Sequence, residues 1–309
     1  MKCSSCGNEA VYESRPTASF RCAGHFKASV EKRFRHELRK ELTMERKNIT
    51  IAVAISGGKD SSILLHLLHK TLSMRRDVKL VAFTVDEGIK GYRPPGIESA
   101  KNLCLKLGVE HRVMSFMEIH GTEMDEVVSS GKSEGSPCAY CGPMRRDIMN
   151  RMAIDFHADY VALGINMDDH SQSVMMNVLR GDYGKMLRMA PHDHSVEGLV
   201  PRIVPMRKIY EKEAKLYAIL EGIEHDDGWC PYSEGARRNR IRELLSQLEE
   251  ETPGTKAAIG NFFDEMRNAS PVLGKTLNSG KCEICGEPSS GKICQSCIRS
   301  GKMIKKNNN

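Results

Sequence analysis

No part of the chain approaches the ~20 consecutive apolar residues that a membrane-spanning helix requires. Its first residues, Met1-Lys2-Cys3-Ser4-Ser5-Cys6, run into no apolar core of the kind a secretory signal carries. The expected setting is therefore the cytoplasm, with no membrane partner. No extended internal repeat is visible. Two common nucleotide signatures are missing as well. The glycine pair after Ser56 does not fit G-x-x-x-x-G-K-[ST], because Lys59 is followed by Asp60, and the G-x-G-x-x-G spacing of a dinucleotide fold is absent. A strong charge bias is lacking too: 46 Lys and Arg against 40 Asp and Glu leave +6, which is compatible with a nucleic-acid partner without demanding one.

What is present is a chain of 309 residues, 40% hydrophobic, long enough for one large domain and small appended modules. It holds 11 cysteines, mostly in CxxC pairs. In a reducing compartment such pairs read as metal ligands rather than disulfides. Cys3-x2-Cys6 is followed after fifteen residues by Cys22-x2-His25. Three thiolates and an imidazole complete a tetrahedral zinc shell, with every position a protein ligand, so the expected zinc is structural. Cys282-x2-Cys285-x8-Cys294-x2-Cys297 is a second, four-thiolate module of the same logic. Modules this small bury little apolar surface, and metal holds them together. Residues 27–47 between the first module and the main body carry Val30, Phe34, Leu38 and Leu42 at a spacing of four, the pattern of an amphipathic helix. Its interleaved Arg33, Arg35, Arg39, Lys40, Arg46, Lys47 and Glu31, Glu37, Glu41, Glu45 read mainly as a solvated face.

The main body is organised around AVAISGGKDSS. Residues 49–55 form a β-branched apolar run, a buried strand. It enters Ser56-Gly57-Gly58-Lys59-Asp60-Ser61-Ser62, and Ile63, Leu64, Leu67 and Leu68 continue as a helix. Strand, glycine turn and helix start make a phosphate cradle: the glycines let the backbone approach an anion and the free amides point at it. SGGKDS resembles the PP-loop of the N-type ATP pyrophosphatases. That resemblance implies cleavage of ATP between the α and β phosphates, activation of a carbonyl-type oxygen as an adenylate, and release of pyrophosphate.

Residues 78–85 are a second buried strand, ending at Asp86. Carboxyl ends of strands line the ligand crevice of an open parallel sheet, so Phe83, Val85 and Asp86 join Ala54 and the loop as candidate nucleotide contacts. A helix over residues 95–107 carries Cys104, an unpaired thiol that suits the core, and residues 112–116 suit a third strand. The Gly/Ser-rich residues 129–137 deliver Cys138-Ala139-Tyr140-Cys141-Gly142, then Arg145 and Arg146 on a helical pattern. This CxxC has no second pair beside it; Cys230, in Trp229-Cys230-Pro231-Tyr232, is the remaining candidate. Three readings fit: an iron–sulfur cluster with one iron free of protein ligands, a Cys138–Cys141 redox or persulfide pair, and a zinc site. Residues 160–164 form a strand ending at Gly164, followed by Asp168 and Asp169 at a helix start. They suit Mg²⁺ binding or polarisation of a nucleophile, although aspartate is also favoured there as a helix cap. A strand-like segment at residues 201–205 and a helix at 212–220 follow. Arg237, Arg238, Arg240 and Arg242 form the densest basic run, which reads either as a solvated helix face or as the best candidate for nucleic-acid phosphates.

Taken in order, the N-terminal CxxC…CxxH module, SGGKDS, CxYCG at Cys138, GxNxDD at Gly164, WCPY at Cys230 and the C-terminal four-cysteine module resemble the TtuA/NcsA group of tRNA thiolation enzymes over almost the whole chain. The related TtcA branch matches only the middle. The resemblance implies a doubly wound, mostly parallel α/β domain over residues 28–277, flanked by zinc modules at 1–27 and 278–309. It implies that ATP adenylates the C2 oxygen of a tRNA uridine and that sulfur displaces AMP to leave 2-thiouridine. It also implies a 4Fe-4S cluster on Cys138, Cys141 and Cys230, whose open iron holds the incoming sulfur. Arg145 would face ATP, Gly164 would meet the nucleotide through its backbone, and one of Asp168 and Asp169, Asp169 for preference, would be catalytic. The group's usual histidine after the glycine is Ile165 here, and its frequent lysine is Arg145. A homodimer is implied by the resemblance alone, and the sulfur donor is either sulfide or a thiocarboxylated ubiquitin-like protein. One branch acts at position 54 in thermophiles and another at position 34; 17 Met, 11 Cys and an Asn-rich tail do not look hyperthermophilic and lean toward position 34.

Overall fold

A computed structural model describes residues 1–42, 48–131, 136–192, 196–233, 237–269 and 280–301. Arg46, Lys47, residues 132–135 of the serine-rich stretch before Cys138, and the tail lie outside the described residues, as does the expected boundary at 277/278.

The chain opens with an antiparallel hairpin, β1 (Tyr12–Ser14) and β2 (Ser19–Arg21), and the long helix α1 (Ala23–Glu41). Strands and helices then alternate: β3 (Ile49–Ala54), α2 (Lys59–Leu72), β4 (Val78–Asp86), α3 (Arg93–Leu107) and β5 (Glu110–Ser115). Short helices α4 (Phe116–His120) and α5 (Met124–Ser129) lead to α6 (Cys138–Asp155), β6 (Tyr160–Ala162), α7 (Met167–Val178), α8 (Tyr183–Leu187) and β7 (Arg202–Ile203). Helices α9 (Glu211–Glu221), α10 (Arg237–Glu251) and α11 (Thr255–Ala269) follow. A second hairpin, β8 (Gly280–Lys281) and β9 (Pro288–Ser289), and α12 (Gln295–Arg299) complete the described chain.

The central sheet has the order β5-β4-β3-β6-β7, and every neighbouring pair is parallel. The apolar runs of β3 and β4 are buried on both faces, as a parallel sheet requires. Phe26, Leu64, Cys104 and Tyr217, from α1, α2, α3 and α9, pack on one face. Phe116, Met124, Met144 and Ile148, from α4, α5 and α6, pack on the other. The strand order reverses between β3 and β6, so the ligand crevice lies outside their carboxyl ends. The doubly wound α/β architecture is as expected.

Two details differ. The solvated face assigned to α1 is partly interior: Glu37 is buried and holds Arg207 at 2.8 Å, Glu41 reaches it at 3.3 Å, and Arg207 also pairs with Asp264 of α11. Arg33 likewise forks onto Glu213 of α9 at 2.7 Å. Helical periodicity marks the apolar stripe but cannot show that its polar flank is covered by elements 170 residues later. Second, the expected boundary at residue 27 falls inside α1, whose N-cap is Cys22.

Candidate active site

Gly57 turns the chain at φ +83°, and a Cβ there would stand 1.9 Å from the carbonyl oxygen of Gly96. Only glycine lets the loop lie against α3. Gly58 is the N-cap of α2, and no side chain caps that helix, so its first-turn amides remain for a ligand. The Ser61 hydroxyl donates to the Gly58 carbonyl at 2.9 Å and lies 3.0 Å from the Ser56 hydroxyl, while the Ser62 hydroxyl donates to the Gly57 carbonyl at 3.4 Å. The serines thus shape the loop. Lys59 Nζ is buried, 3.4 Å from Asp60 and 3.5 Å from Glu211, with no hydrogen-bond partner. A buried ammonium held by two ion pairs but by no hydrogen bond, beside an uncapped helix start, fits the phosphates of ATP.

Gly164 sits beyond β6, where a Cβ would come within 2.9 Å of the backbone of Asp60 and Ser61. Its lack of a side chain therefore serves contact with the PP-loop helix. The cap of α7 is Asn166, which accepts from the Asp169 amide at 2.9 Å; neither aspartate caps. Asp168 is buried between Lys256 Nζ at 2.5 Å and the Glu211 amide at 2.8 Å. Asp169 instead faces the crevice. Burial, opposed by Arg238 and reinforced by Asp60 and Glu211, pushes its carboxyl up to about 6. Arg238 meets Asp169 at 3.4 Å and donates to the Ser173 hydroxyl at 2.9 Å, and Arg242 lies over the Trp229 ring at 5.5 Å. These two members of the basic run turn toward the crevice rather than forming an outer ridge; Arg240 is exposed.

Of the strand-end candidates, Phe83 packs its ring in the core and only its carbonyl meets the loop, accepting from the Ile55 amide at 2.9 Å. Val85 is buried, Ala54 half-buried, and Asp86 accepts from the Gly88 amide at 2.9 Å in its own turn. Alternation along a strand buried on both faces explains why a crevice position sends its side chain inward.

Cys138 and Cys141 lie in the first turn of α6, the former exposed and the latter half-buried, and Cys230 is half-buried in the loop facing them. Each of Cys141 and Cys230 feels the charge of Cys138, Glu87 and Arg145. Burial pushes the Cys141 thiol up to about 11. Arg145, exposed on α6, reaches Glu87 at 3.6 Å. Buried Glu87 pairs with Arg93 at 2.8 Å, and Arg93 donates to the Ser56 carbonyl at 3.3 Å. A chain of charges thus runs from the cysteines to the PP-loop.

Where zinc is expected, the ligand atoms converge. Cys3, Cys6, Cys22 and His25 lie within 4.8 Å of one another, as do Cys282, Cys285, Cys294 and Cys297. The Cys6–Cys22 and Cys285–Cys294 sulfur separations are 3.7 and 3.6 Å. Four sulfurs about 2.3 Å from one ion stand about 3.8 Å apart. Backbone amides, those of Cys22 first, lower Cys3 to about 6; at Cys282 burial works the other way but the amides of Cys294 and Cys285 outweigh it, leaving about 6. Among the described residues, Cys138, Cys141 and Cys230 form no such tight group.

A family model described as a PP-loop domain matches residues 27–249. The chain belongs to the PP-loop family. It is 34% identical over 315 residues to the tRNA 2-thiolation protein NcsA of Haloferax volcanii, covering 96% of this chain and 97% of that protein. It is 35% identical over 301 residues to a probable sulfurtransferase of Methanocaldococcus jannaschii, covering 96% and 86%. Among solved structures, the U34-tRNA thiolase NcsA from Methanococcus maripaludis, with its 4Fe-4S cluster, superposes with a TM-score of 0.85 at 32% identity over 98% of this chain and 96% of that one. Within the PP-loop family the chain is of the NcsA type, as the order of motifs suggested.

Several residues of this PP-loop site were not legible beforehand. Glu87, Arg93 and Gly96 lie in a stretch whose signal, Arg93-Pro94-Pro95-Gly96, reads only as a helix start. Asp226 donates its amide to the Gly57 carbonyl at 2.9 Å from a distant loop. Tyr140, between the two cysteines, carries Arg299 of α12 over its ring at 4.8 Å, so the C-terminal module braces the cysteine turn. His170, next to Asp169, points away and packs edge-on against Phe263 at 5.0 Å.

Proposed function

We propose that this chain is an ATP-dependent tRNA 2-thiolation enzyme that converts a uridine, at wobble position 34, into 2-thiouridine. The reading rests above all on three free cysteines and an uncapped PP-loop facing one crevice, joined through Arg145, Glu87 and Arg93. The thiolase relatives support the reaction, and the U34 thiolase supports the position.

A carbonyl oxygen is a poor leaving group, and transfer of AMP from ATP onto the uridine C2 oxygen makes it a good one. The α2 amides and Lys59 would hold the phosphates that depart as pyrophosphate. Arg145 would meet the nucleotide, and Asp169, held part-protonated near neutrality, would orient the attacked base. Asp60 and Asp169 would hold a Mg²⁺, which would offset the charge of the departing phosphates. Cys138, Cys141 and Cys230 would hold a 4Fe-4S cluster, which when bound supplies an open iron for the incoming sulfur. The two tight ligand sets would hold structural Zn²⁺. Resemblance carries two further parts: a donor that is sulfide or a thiocarboxylated ubiquitin-like protein, and assembly as a homodimer. Metal-held thiolates of this number suit the reducing cytoplasm.

The test is anaerobic purification of wild type and Cys230→Ala, with iron and sulfide counts and mass spectrometry of tRNA nucleosides after reaction. About four irons and four sulfides per chain, lost together with 2-thiouridine in the variant, are expected. Zinc alone, with an intact Cys138–Cys141 dithiol, would overturn the cluster and leave a persulfide or disulfide relay.

A further inference from the structure

A half-open cavity of about 340 Å³ is lined by α6, by the loop before β7 and by β9 and α12 of the C-terminal module. Arg146, Arg188 and Arg202 line it, and none has a carboxylate partner among the described residues. Its two acidic residues are engaged with one another's partners: Asp147 holds Arg151 at 3.0 Å and the Ser296 hydroxyl at 3.1 Å, and Glu287 meets Arg151 at 3.7 Å and Asn150 at 3.2 Å. Arg267 and His192 add to the basic lining. Burial and the facing Arg146 push Arg202 down to about 10. Burial and Arg145 likewise lower Arg146. Arg146 and Arg188 are exposed and Arg202 is half-buried, so the three guanidinium groups stand open to an anion on one wall of the cavity. Adjacent residues of α6 divide the work: Arg145 turns to Glu87 and the crevice, Arg146 to the cavity.

We infer that this cavity binds backbone phosphates of the RNA substrate, through Arg146, Arg188 and Arg202, alongside the thiolation site. The inference rests on the reading of the substrate as tRNA and adds where the strand is held. Guanidinium forks match phosphate oxygens, and the apolar wall of Pro143, Pro191, Leu199 and Pro201 suits the nucleoside beside them. An RNA strand crossing the N-terminal turn of α6 would meet both sites.

The holoprotein is titrated with unmodified tRNA transcript across a KCl series, as wild type, Arg146→Gln/Arg202→Gln and Arg188→Gln. Each lost phosphate contact lowers the slope of log affinity against log salt by roughly one, so the double variant loses roughly two. Melting curves with and without inorganic phosphate accompany the titration. The double variant is expected to melt no lower than wild type, because repulsion is relieved, and to lose the stabilisation by phosphate. Should it melt lower, Arg188→Gln on the exposed rim carries the test. Unchanged slopes in both variants would overturn the inference, and phosphate stabilisation with unchanged slopes would assign the cavity to free phosphate instead. A wild type that binds no tRNA at low salt would remove the functional reading itself, a result distinct from either.

Discussion

Asp168 and Asp169 are neighbours with opposite surroundings. Asp168 is closed in by Lys256 and the start of α9, while Asp169 looks into the crevice beside Asp60 and Arg238. Asp168→Asn removes one side of a buried ion pair and is expected to lower stability by about 3 kcal/mol in urea unfolding. Asp169→Asn is expected to abolish 2-thiouridine formation and raise the melting temperature at pH 7. The sign follows from its carboxyl being raised to about 6: the folded chain holds that proton more tightly than the unfolded one, so stability falls as pH rises through about 4 to 6. The gain of the variant should vanish near pH 4. Melts that show the same pH dependence in both proteins would contradict this. At Gly57 the backbone of α3 stands where a Cβ would go, so Gly57→Ala must push the loop off Gly96. ATP binding by calorimetry should be lost while the zinc content stays.

At the scale of elements, α1 is held by both its faces. Its apolar stripe enters the core, and Glu37 and Glu41 on its other side clasp Arg207 together with Asp264 from α11. Burial, against the pull of the Val204 amide and Arg207, pushes Glu41 up to about 7. Its charged form is therefore a cost that grows as pH rises from about 4.5 to 7, and Arg207 offsets it. Arg207→Gln should lower stability by about 3–5 kcal/mol, more at pH 8 than at pH 5, measured by urea unfolding at the two values. A loss equal at both would show that Glu41 is not the group left exposed to its burial. Periodicity made the helix and its apolar stripe plain. Its polar flank was not legible, because the covering residues come from α11 and from the turn after β7.

At the scale of the whole molecule, the C-terminal cysteine set meets the sheet domain through α12. Structural zinc contributes roughly 10–16 kcal/mol in small fingers, and here the C-terminal set also places α12 against α6, with Arg299 on Tyr140 and Ser296 on Asp147. Cys282→Ser is expected to lose one zinc per chain and to make the iron of the Cys138 turn more easily chelated, followed by the rate of iron release to a chelator. Zinc loss with unaltered iron release would show that the module does not brace that turn.

By itself the sequence determined the local chemistry: the CxxC spacings, SGGKDS between a β-branched run and a helical one, and Cys138, Cys141 and Cys230 as the thiols left over. The first two depend on residues a few positions apart, where chain geometry alone decides what can meet; the third is what remains once the two metal sets are filled and Cys104 is given to the core. Only the tertiary structure decided which of two adjacent aspartates faces the crevice and that Phe83 turns inward. It alone linked Glu87 and Arg93 from the PP-loop to the cysteines, and it alone gathered Arg146, Arg188 and Arg202 around one cavity. Those outcomes depend on which distant element covers a side chain, and burial against such neighbours is not written in any local pattern.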